Sequence, residues 1–418
     1  MERRATAEPR ARVAAALWLA VILVGTLRPD YHPGHIDPPL CLTCGAHASV
    51  DVILNILLFF PLGASLAWAR WRGARAVAGA TLLSLAIETA QFVIPGRDPS
   101  LRDVLSNTLG ATLGWAVVAS MGRWLVPAPT RAARLCLGAA VAVAVLFGLT
   151  GMLLHPAALE PPLSAEWAER SQTMEWYHAK VLDTRVGTME LPHGTYPDPV
   201  AAAFHVRLLQ GQPLVIRARA GPPVPAFGPL LGLYDSRHAL VEVGPDRQDL
   251  VLRYRARALP AGFDSPRFRL VGAFAGIRPG DSLRVVVRLV PGATRLALNG
   301  LRPATIELTV ASGWTLLFAA PFRYPAARRL LSMAWMALLL LPVGFWSLAR
   351  PVPLAGAALV LVAGGLWAWR GGGLHPPTAW ELAGAALGLL AGWGLQRLAV
   401  RIGTASRAAR KGRPRGTG

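Results

Sequence analysis

The sequence predicts a polytopic α-helical membrane protein of about eight spans with an inserted all-β sandwich (jelly-roll-like) extracytoplasmic domain. Three observations predict it. Apolar blocks of roughly 20 residues, the length of a bilayer-crossing helix, recur at both ends of the chain. Arginines cluster in alternate connections between those blocks. Between the fifth and sixth blocks the pattern turns to short alternating stretches broken by Gly and Pro. Composition agrees. The chain has 418 residues, 53% hydrophobic and only 16% charged, with mean hydropathy +0.40; a soluble globular chain carries about 25% charged residues. A net charge of +20 would point to nucleic acid in a soluble protein. Here the arginines stand beside apolar blocks, so membrane lipids are the expected partners and nucleic acid is not.

The blocks run at about 11–27, 50–69, 74–94, 101–121, 133–154, 327–349, 352–369 and 378–399. The first follows Arg3, Arg4, Arg10 and Arg12 as a signal peptide would. It ends in Leu27-Arg28-Pro29-Asp30 with no small-residue cleavage site, so it reads as a signal anchor. One set of connections holds those four arginines, then Arg70, Arg72 and Arg75, then Arg123, Arg131 and Arg134, then Arg350. The tail adds Arg401, Arg407, Arg410, Lys411, Arg413 and Arg415. The alternate connections hold only Arg28, then Arg97 and Arg102, then Arg370. By the positive-inside rule both termini are expected in the cytoplasm of a bacterial cell, with a multi-pass chain in the inner (cytoplasmic) membrane. Four regions follow: a membrane domain over 1–156, an extracytoplasmic sandwich over 157–325, a second membrane domain over 326–400 and a basic cytoplasmic tail over 401–418.

Within 157–325, strands are expected at Phe204–Leu208, Leu214–Ala218, Leu250–Arg255, Leu283–Leu289 and Thr305–Val310, where apolar and polar residues alternate. Gly211-Gln212-Pro213, Gly244-Pro245-Asp246 and Pro279-Gly280-Asp281 supply turns. Asn299-Gly300 after Leu296-Ala297-Leu298 signals a two-residue hairpin. This pattern resembles the concanavalin A/laminin G class of sandwich, and the resemblance implies carbohydrate binding. Trp167, Trp176, Tyr177, Tyr196, Phe204, Tyr234, Phe263 and Trp314 either fill the core or include a sugar-stacking platform.

Polar residues inside apolar blocks are costly and mark functional candidates. The second block opens Asp51-Val-Ile-Leu-Asn55-Ile-Leu57, and the fourth opens Asp103-Val-Leu-Ser-Asn107-Thr-Leu109. Asp and Asn four apart share one helical face. The third block adds Ser84, Glu88 and Gln91 on one stripe, and the following loop adds Arg97. Two accounts of these residues stay open. In the first, Asp51 and Asp103 cap helix starts, Asn55 and Asn107 bond between helices, and Glu88 pairs with Arg97. In the second, all seven line a polar cavity open to the outside. Gly110 and Gly114 allow close helix packing, and Phe59-Phe60-Pro61-Leu62-Gly63 kinks or tightly packs the second helix. In the last block Glu381, Gly388, Gly392 and Trp393 align with Asp103, Gly110, Gly114 and Trp115, although Ala385 replaces Asn107.

The ordered set Asp51, Asn55, Phe60-Pro61-Leu62-Gly63, Ser84, Glu88, Gln91, Arg97, Asp103, Asn107 and Gly110 resembles the VanZ-like membrane protein family over about residues 15–120. The family's namesake is linked to teicoplanin resistance, so the resemblance implies a cell-envelope context and supplies no reaction.

Cys41-Leu-Thr-Cys44 reads as a local disulfide. His32, His35 and His47 nearby leave a metal site open, and a redox pair would need a strand–helix context that is missing. Cys136 reads as a core residue of the fifth span. No phosphate loop, dinucleotide fingerprint, Gly-x-Ser-x-Gly elbow or zincin motif occurs, so neither cofactor nor metal is expected. The expected function is binding of surface glycan or a lipid-linked envelope precursor, through the sandwich and the polar cluster. The alternative is a membrane enzyme that modifies an envelope lipid or polysaccharide with Glu88, Asp51 and Asp103. A transporter is disfavoured because no span reads as broken at a Gly/Pro pair in two matched halves.

Overall fold

The structure, a computed structural model, describes residues 7–29, 47–97, 99–168, 174–236, 239–290, 292–318, 325–348 and 350–411. Helices occupy all eight expected places: α1 (Ala7–Thr26), α2 (Ala48–Trp68), α3 (Gly73–Gln91), α4 (Leu101–Ala119), then, after the short α5 (Met121–Trp124), α6 (Pro129–Leu154), and finally, beyond α7 (Asp198–Leu209), α8 (Pro325–Ser347), α9 (Pro351–Arg370) and α10 (Ala379–Lys411). Six of these, α1, α2, α6, α8, α9 and α10, are long and apolar enough to cross a membrane. The third and fourth helices fall short because Ser84, Glu88 and Gln91 on α3, and Arg102, Asp103 and Asn107 on α4, dilute their apolar character. Large apolar side chains face outward along the helices, among them Val24, Leu82, Leu338, Leu359 and Leu390. So extensive an exposed apolar surface belongs in lipid rather than in water.

The chain falls into two compact units. One is Met1–Arg131 with Pro260–Phe263 and Gln396–Gly418; the other is Ala132–Leu259 with Asp264–Leu395. In the first, α2 and α4 run side by side in the same direction. Their backbones touch, because a Cβ on Gly63 would overlap the backbone of Ala111, and one on Gly114 the backbone of Phe60. Pro61 sits inside α2 without ending it. Ile22, Phe59, Leu62, Ala80, Ile87 and Ala111 form the shared core of α1–α4.

The second unit carries a sandwich of two antiparallel six-stranded sheets, ordered β4-β1-β6-β7-β8-β9 and β12-β11-β10-β5-β2-β3. The strands are β1 (Leu163–Trp167), β2 (Lys180–Val186), β3 (Met189–Glu190), β4 (Gly194–Tyr196), β5 (Leu214–Arg219), β6 (Leu231–Tyr234), β7 (Ala239–Asp246), β8 (Asp249–Tyr254), β9 (Arg267–Leu270), β10 (Ser282–Val290), β11 (Ala293–Leu298) and β12 (Ala304–Glu307). Strand β10 shows the period of two: Leu283, Val285, Val287 and Leu289 are buried between solvent-facing neighbours. The fully buried Asp235–Arg255 pair ties β6 to the segment after β8.

Four local expectations need correction. Gly244-Pro245-Asp246 is not a turn but the end of β7, paired with Val251, Leu250 and Asp249 of β8. Phe204–Leu208 is not a strand but part of α7. Its buried residues Ala201, Phe204 and Leu208 keep helical spacing, Pro199 stands in the first turn, and Asp198 favours the helix start. Asn299 and Gly300 do adopt the left-handed backbone of a tight turn, but β12 begins only at Ala304, so the connection is longer than two residues. Asn299 bonds sideways instead, accepting from the Arg284 amide (2.6 Å) and donating to the Ser282 carbonyl (2.8 Å). Beyond Glu307, Val310–Leu316 is a 3-10 turn capped by Thr309 rather than the end of a strand. Of the eight aromatics considered for sugar stacking, Trp176 alone is exposed, resting on the His178 ring (3.7 Å). Tyr177, Phe204 and Trp314 are core residues.

Candidate functional site

The polar residues of the first unit gather where α2 and α4 begin and α3 ends. On α3, Ser84 is fully buried and Glu88 and Gln91 are 7% exposed; on α4, Asn107 is 2% exposed. Each side chain has a specific setting. Asn107 Nδ2 donates to Ser84 Oγ (3.0 Å), joining α4 to α3. Glu88 accepts from the Ser100 backbone N–H (2.7 Å), so this carboxylate holds the turn that starts α4. Asn55 on α2 lies close to the Asp103 carboxylate on α4. Asp103 lies within electrostatic reach of both Glu88 and Asp51. Five of the seven expected residues, Asp51, Asn55, Glu88, Asp103 and Asn107, thus form one cluster spanning three helices.

The other two are engaged elsewhere. Gln91 donates to the Thr26 carbonyl (3.0 Å), and Arg97 donates to the carbonyls of Arg28 (2.8 Å) and Gly25 (3.0 Å). They hold the C-terminal end of α1, whose last carbonyls lack intrahelical donors. The expected Glu88–Arg97 pair is therefore replaced by a carboxylate bonded to the backbone and an arginine capping a helix.

Sequence reasoning passed over Arg102. Its Nη2 lies 3.3 Å from Asp51 Oδ2 and its Nε 3.7 Å from Asp103 Oδ1. This cation bridges the two repeated aspartates, which would otherwise face each other at the starts of neighbouring helices. The signal was present, since Arg102 immediately precedes Asp103 and two like charges in one place require compensation.

Among the described residues, Asp103 Oδ1 and Asn107 Oδ1 are buried with no hydrogen-bond partner, as is Arg102 Nε, which faces that Asp103 oxygen at 3.7 Å. Such acceptors cost about 1–3 kcal/mol each while unsatisfied and suit a donor-rich ligand. No group of three His, Cys, Asp or Glu side chains among the described residues is arranged to hold a metal ion. Cys41 and Cys44 lie outside the described residues. Cys136 is fully buried on α6. The second unit contains a cavity of about 180 Å³ lined mainly by apolar groups, including Leu154, Leu209, Tyr254, Leu289, Leu308 and Leu374.

The VanZ/LLP1 family model matches residues 16–122. That span takes in α2, α3, α4 and every residue of the polar cluster. No curated protein and no solved structure matches the chain. Residues 16–122, with Asp51, Asn55, Glu88, Arg102, Asp103 and Asn107 among them, are therefore a VanZ-like domain, here joined to a β-sandwich and further membrane helices.

Proposed function

We propose that this protein binds a cell-surface glycan or a lipid-linked envelope precursor at the cluster where α2 and α4 begin, with the sandwich on the same, outer side of the bacterial inner membrane. The observation that carries the reading is the pair of buried, unsatisfied acceptors on Asp103 and Asn107, beside the Glu88 carboxylate. A polyhydroxylated headgroup supplies the donors such acceptors need, and the lipid tail would lie along the outward-facing leucines. Arginine asymmetry supports the outward orientation, and a bearing on glycopeptide resistance is carried over from the family's namesake. A second reading, a membrane enzyme acting on an envelope lipid or polysaccharide, is favoured by one observation: Glu88 and Asp103 are close enough to influence each other, as paired carboxylates in acid–base catalysis must be.

The test is native mass spectrometry of the full chain purified from bacterial membranes. Wild type should retain a polyprenyl-linked sugar, and Glu88→Gln and Asp103→Asn should lose it at equal abundance. Retention by both variants would refute the site. A new lipid product formed by wild type and not by Glu88→Gln would select the enzyme.

A further inference from the structure

The glycine contacts between α8 and α10 repeat those between α2 and α4 in the same register. A Cβ on Gly110 would meet the backbone O, Cα and C of Ile56, and one on Gly388 the same three atoms of Ala337. Gly114 abuts Phe60 O and Ala64 N, while Gly392 abuts Leu341 O and Phe345 N. Gly63 lies on Ala111, and Gly344 on Leu389. One constant register shift in each helix maps all three contacts. The same shifts superpose Leu57-Leu58-Phe59-Phe60-Pro61-Leu62-Gly63 on Leu338-Leu339-Leu340-Leu341-Pro342-Val343-Gly344, and Trp115 on Trp393. The apolar centres correspond as well. Leu62 and Ala111 belong to the core of α1–α4, and their counterparts Val343 and Leu389 join Cys136, Ala140 and Ala357 in the core of α6, α8, α9 and α10.

By this register Asp51 corresponds to Ser332, Asn55 to Met336, Asp103 to Glu381 and Asn107 to Ala385. Ser332 and Glu381 are 7% and 6% exposed. Both accept hydrogen bonds from the last segment of the sandwich: Ser332 Oγ from Trp314 Nε1 (3.1 Å), and Glu381 Oε1 from the Thr309 hydroxyl (2.8 Å). Gly313 lets that segment seat, because a Cβ there would lie 2.9 Å from Thr150 Oγ1 on α6 and 3.2 Å from Trp335 Nε1 on α8.

We propose that α6, α8, α9 and α10 are a second copy of the VanZ-like four-helix unit, and that its Ser332–Glu381 mouth is a binding site for hydroxyl and ring N–H donors, filled in cis by the Thr309–Trp314 turn. The polar stripe of α3 has no counterpart on α9, whose buried residues are Ala357 and Ala368. The second site therefore holds a fixed occupant rather than an exchanging one. A corollary, which rests on the ligand-binding reading above, is that Asp103 accepts a ligand hydroxyl as Glu381 accepts that of Thr309.

The test is chemical rescue of the full chain in detergent, read as melting temperature. Trp314→Gly should melt lower than wild type and should recover, saturably, with added indole. Indene, which has the same shape without the N–H, should rescue less, and Ser332→Ala should erase the difference between the two probes. Equal rescue by both probes in the Ser332 background, or none by indole, would overturn the site. Should Trp314→Gly not fold, Thr309→Val decides: because its hydroxyl also caps Ala311 N–H, its effect on melting should be smaller in a Glu381→Ala background than in wild type, and equal effects in the two backgrounds would overturn the site. The copy itself is tested by Met336→Asn, which should set an amide beside Glu381 as Asn55 sets one beside Asp103. Its effect on melting should depend on Glu381 in a double-mutant cycle, and independence would overturn the register. None of these outcomes depends on whether the first copy binds an envelope ligand, so failure here and failure of that reading are separate results.

Discussion

Arg102 is the residue on which the polar cluster turns electrostatically, and removing it has a calculable consequence. At 3.3 Å from Asp51 and 3.7 Å from Asp103, each contact is worth roughly 5 kcal/mol gross at an effective dielectric of about 20. The net is smaller and unequal. The Asp51 side chain is 46% exposed, and such a surface contact contributes about 0–1 kcal/mol. Asp103 is 23% and Arg102 13% exposed, so this side is better desolvated. Stranding a buried partner costs about 3–5 kcal/mol; partial exposure reduces the expected loss for Arg102→Met to about 2–4 kcal/mol. Removing the stranded charge as well should recover most of it, so Arg102→Met/Asp103→Asn should be more stable than Arg102→Met alone. Equilibrium unfolding of the full chain in mixed detergent micelles, followed by tryptophan fluorescence, measures both. An Arg102→Met variant within about 0.5 kcal/mol of wild type, the spread of an ordinary surface substitution, would refute the bridging role, as would a double variant less stable than the single one.

Three further outcomes follow from the geometry. Gly110→Ala would place its Cβ 2.8 Å from Ile56 Cα, whereas nothing lies within 4 Å of one on Gly138; the first should lose about 1–3 kcal/mol and the second nothing, in the same unfolding assay. The Arg217 guanidinium, with Arg185 beside it, holds the Asp183 carboxyl down at about 2 from its ordinary 3.8. Because the folded value is the lower one, this stabilisation is present above about pH 4 and is lost as the pH falls toward 2; melting across that window should flatten in Asp183→Asn, and a wild-type chain that gains stability on acidification there would contradict the assignment. Arg97→Ala frees the carbonyls of Gly25 and Arg28, so it should lower stability yet leave a co-purifying glycolipid in place, unlike Glu88→Gln; loss of the lipid in both variants would return Arg97 to the site.

The helices were legible because bilayer thickness imposes a length, and blocks such as 133–154 have no other reading. The polar cluster was legible because Asp51, Asn55, Asp103 and Asn107 repeat one spacing inside apolar surroundings. Helix α7 was misread because Phe204-His205-Val206-Arg207-Leu208 alternates over a stretch too short to separate the two periods. Only the buried partners of Ala201, Phe204 and Leu208 decide between them. The partners of Glu88 and Arg97 were unreadable for a different reason: both bond backbone groups, Ser100 N–H and the end of α1, and backbone leaves no residue-type signal. The second four-helix copy was half visible. Glu381 and its glycines align with α4, and Pro342-Val343-Gly344 with Pro61-Leu62-Gly63 of α2. The Asp51–Asn55 pair that draws attention in α2 has become Ser332 and Met336 in α8, so the feature retained between these two helices is packing.

The proposed function requires that the polar cluster and the sandwich face the same, outer side of the membrane. Single cysteines in a background lacking Cys41, Cys44 and Cys136, probed with a membrane-impermeant maleimide in intact spheroplasts, test it directly. Pro95→Cys, beside the cluster, and Pro279→Cys, on the sandwich, are both at exposed positions, as is Gly122→Cys at the opposite end of α4. The account predicts labelling at 95 and 279 in intact spheroplasts, and at 122 only after lysis. Labelling at 122 before lysis, or at only one of the other two, would contradict it.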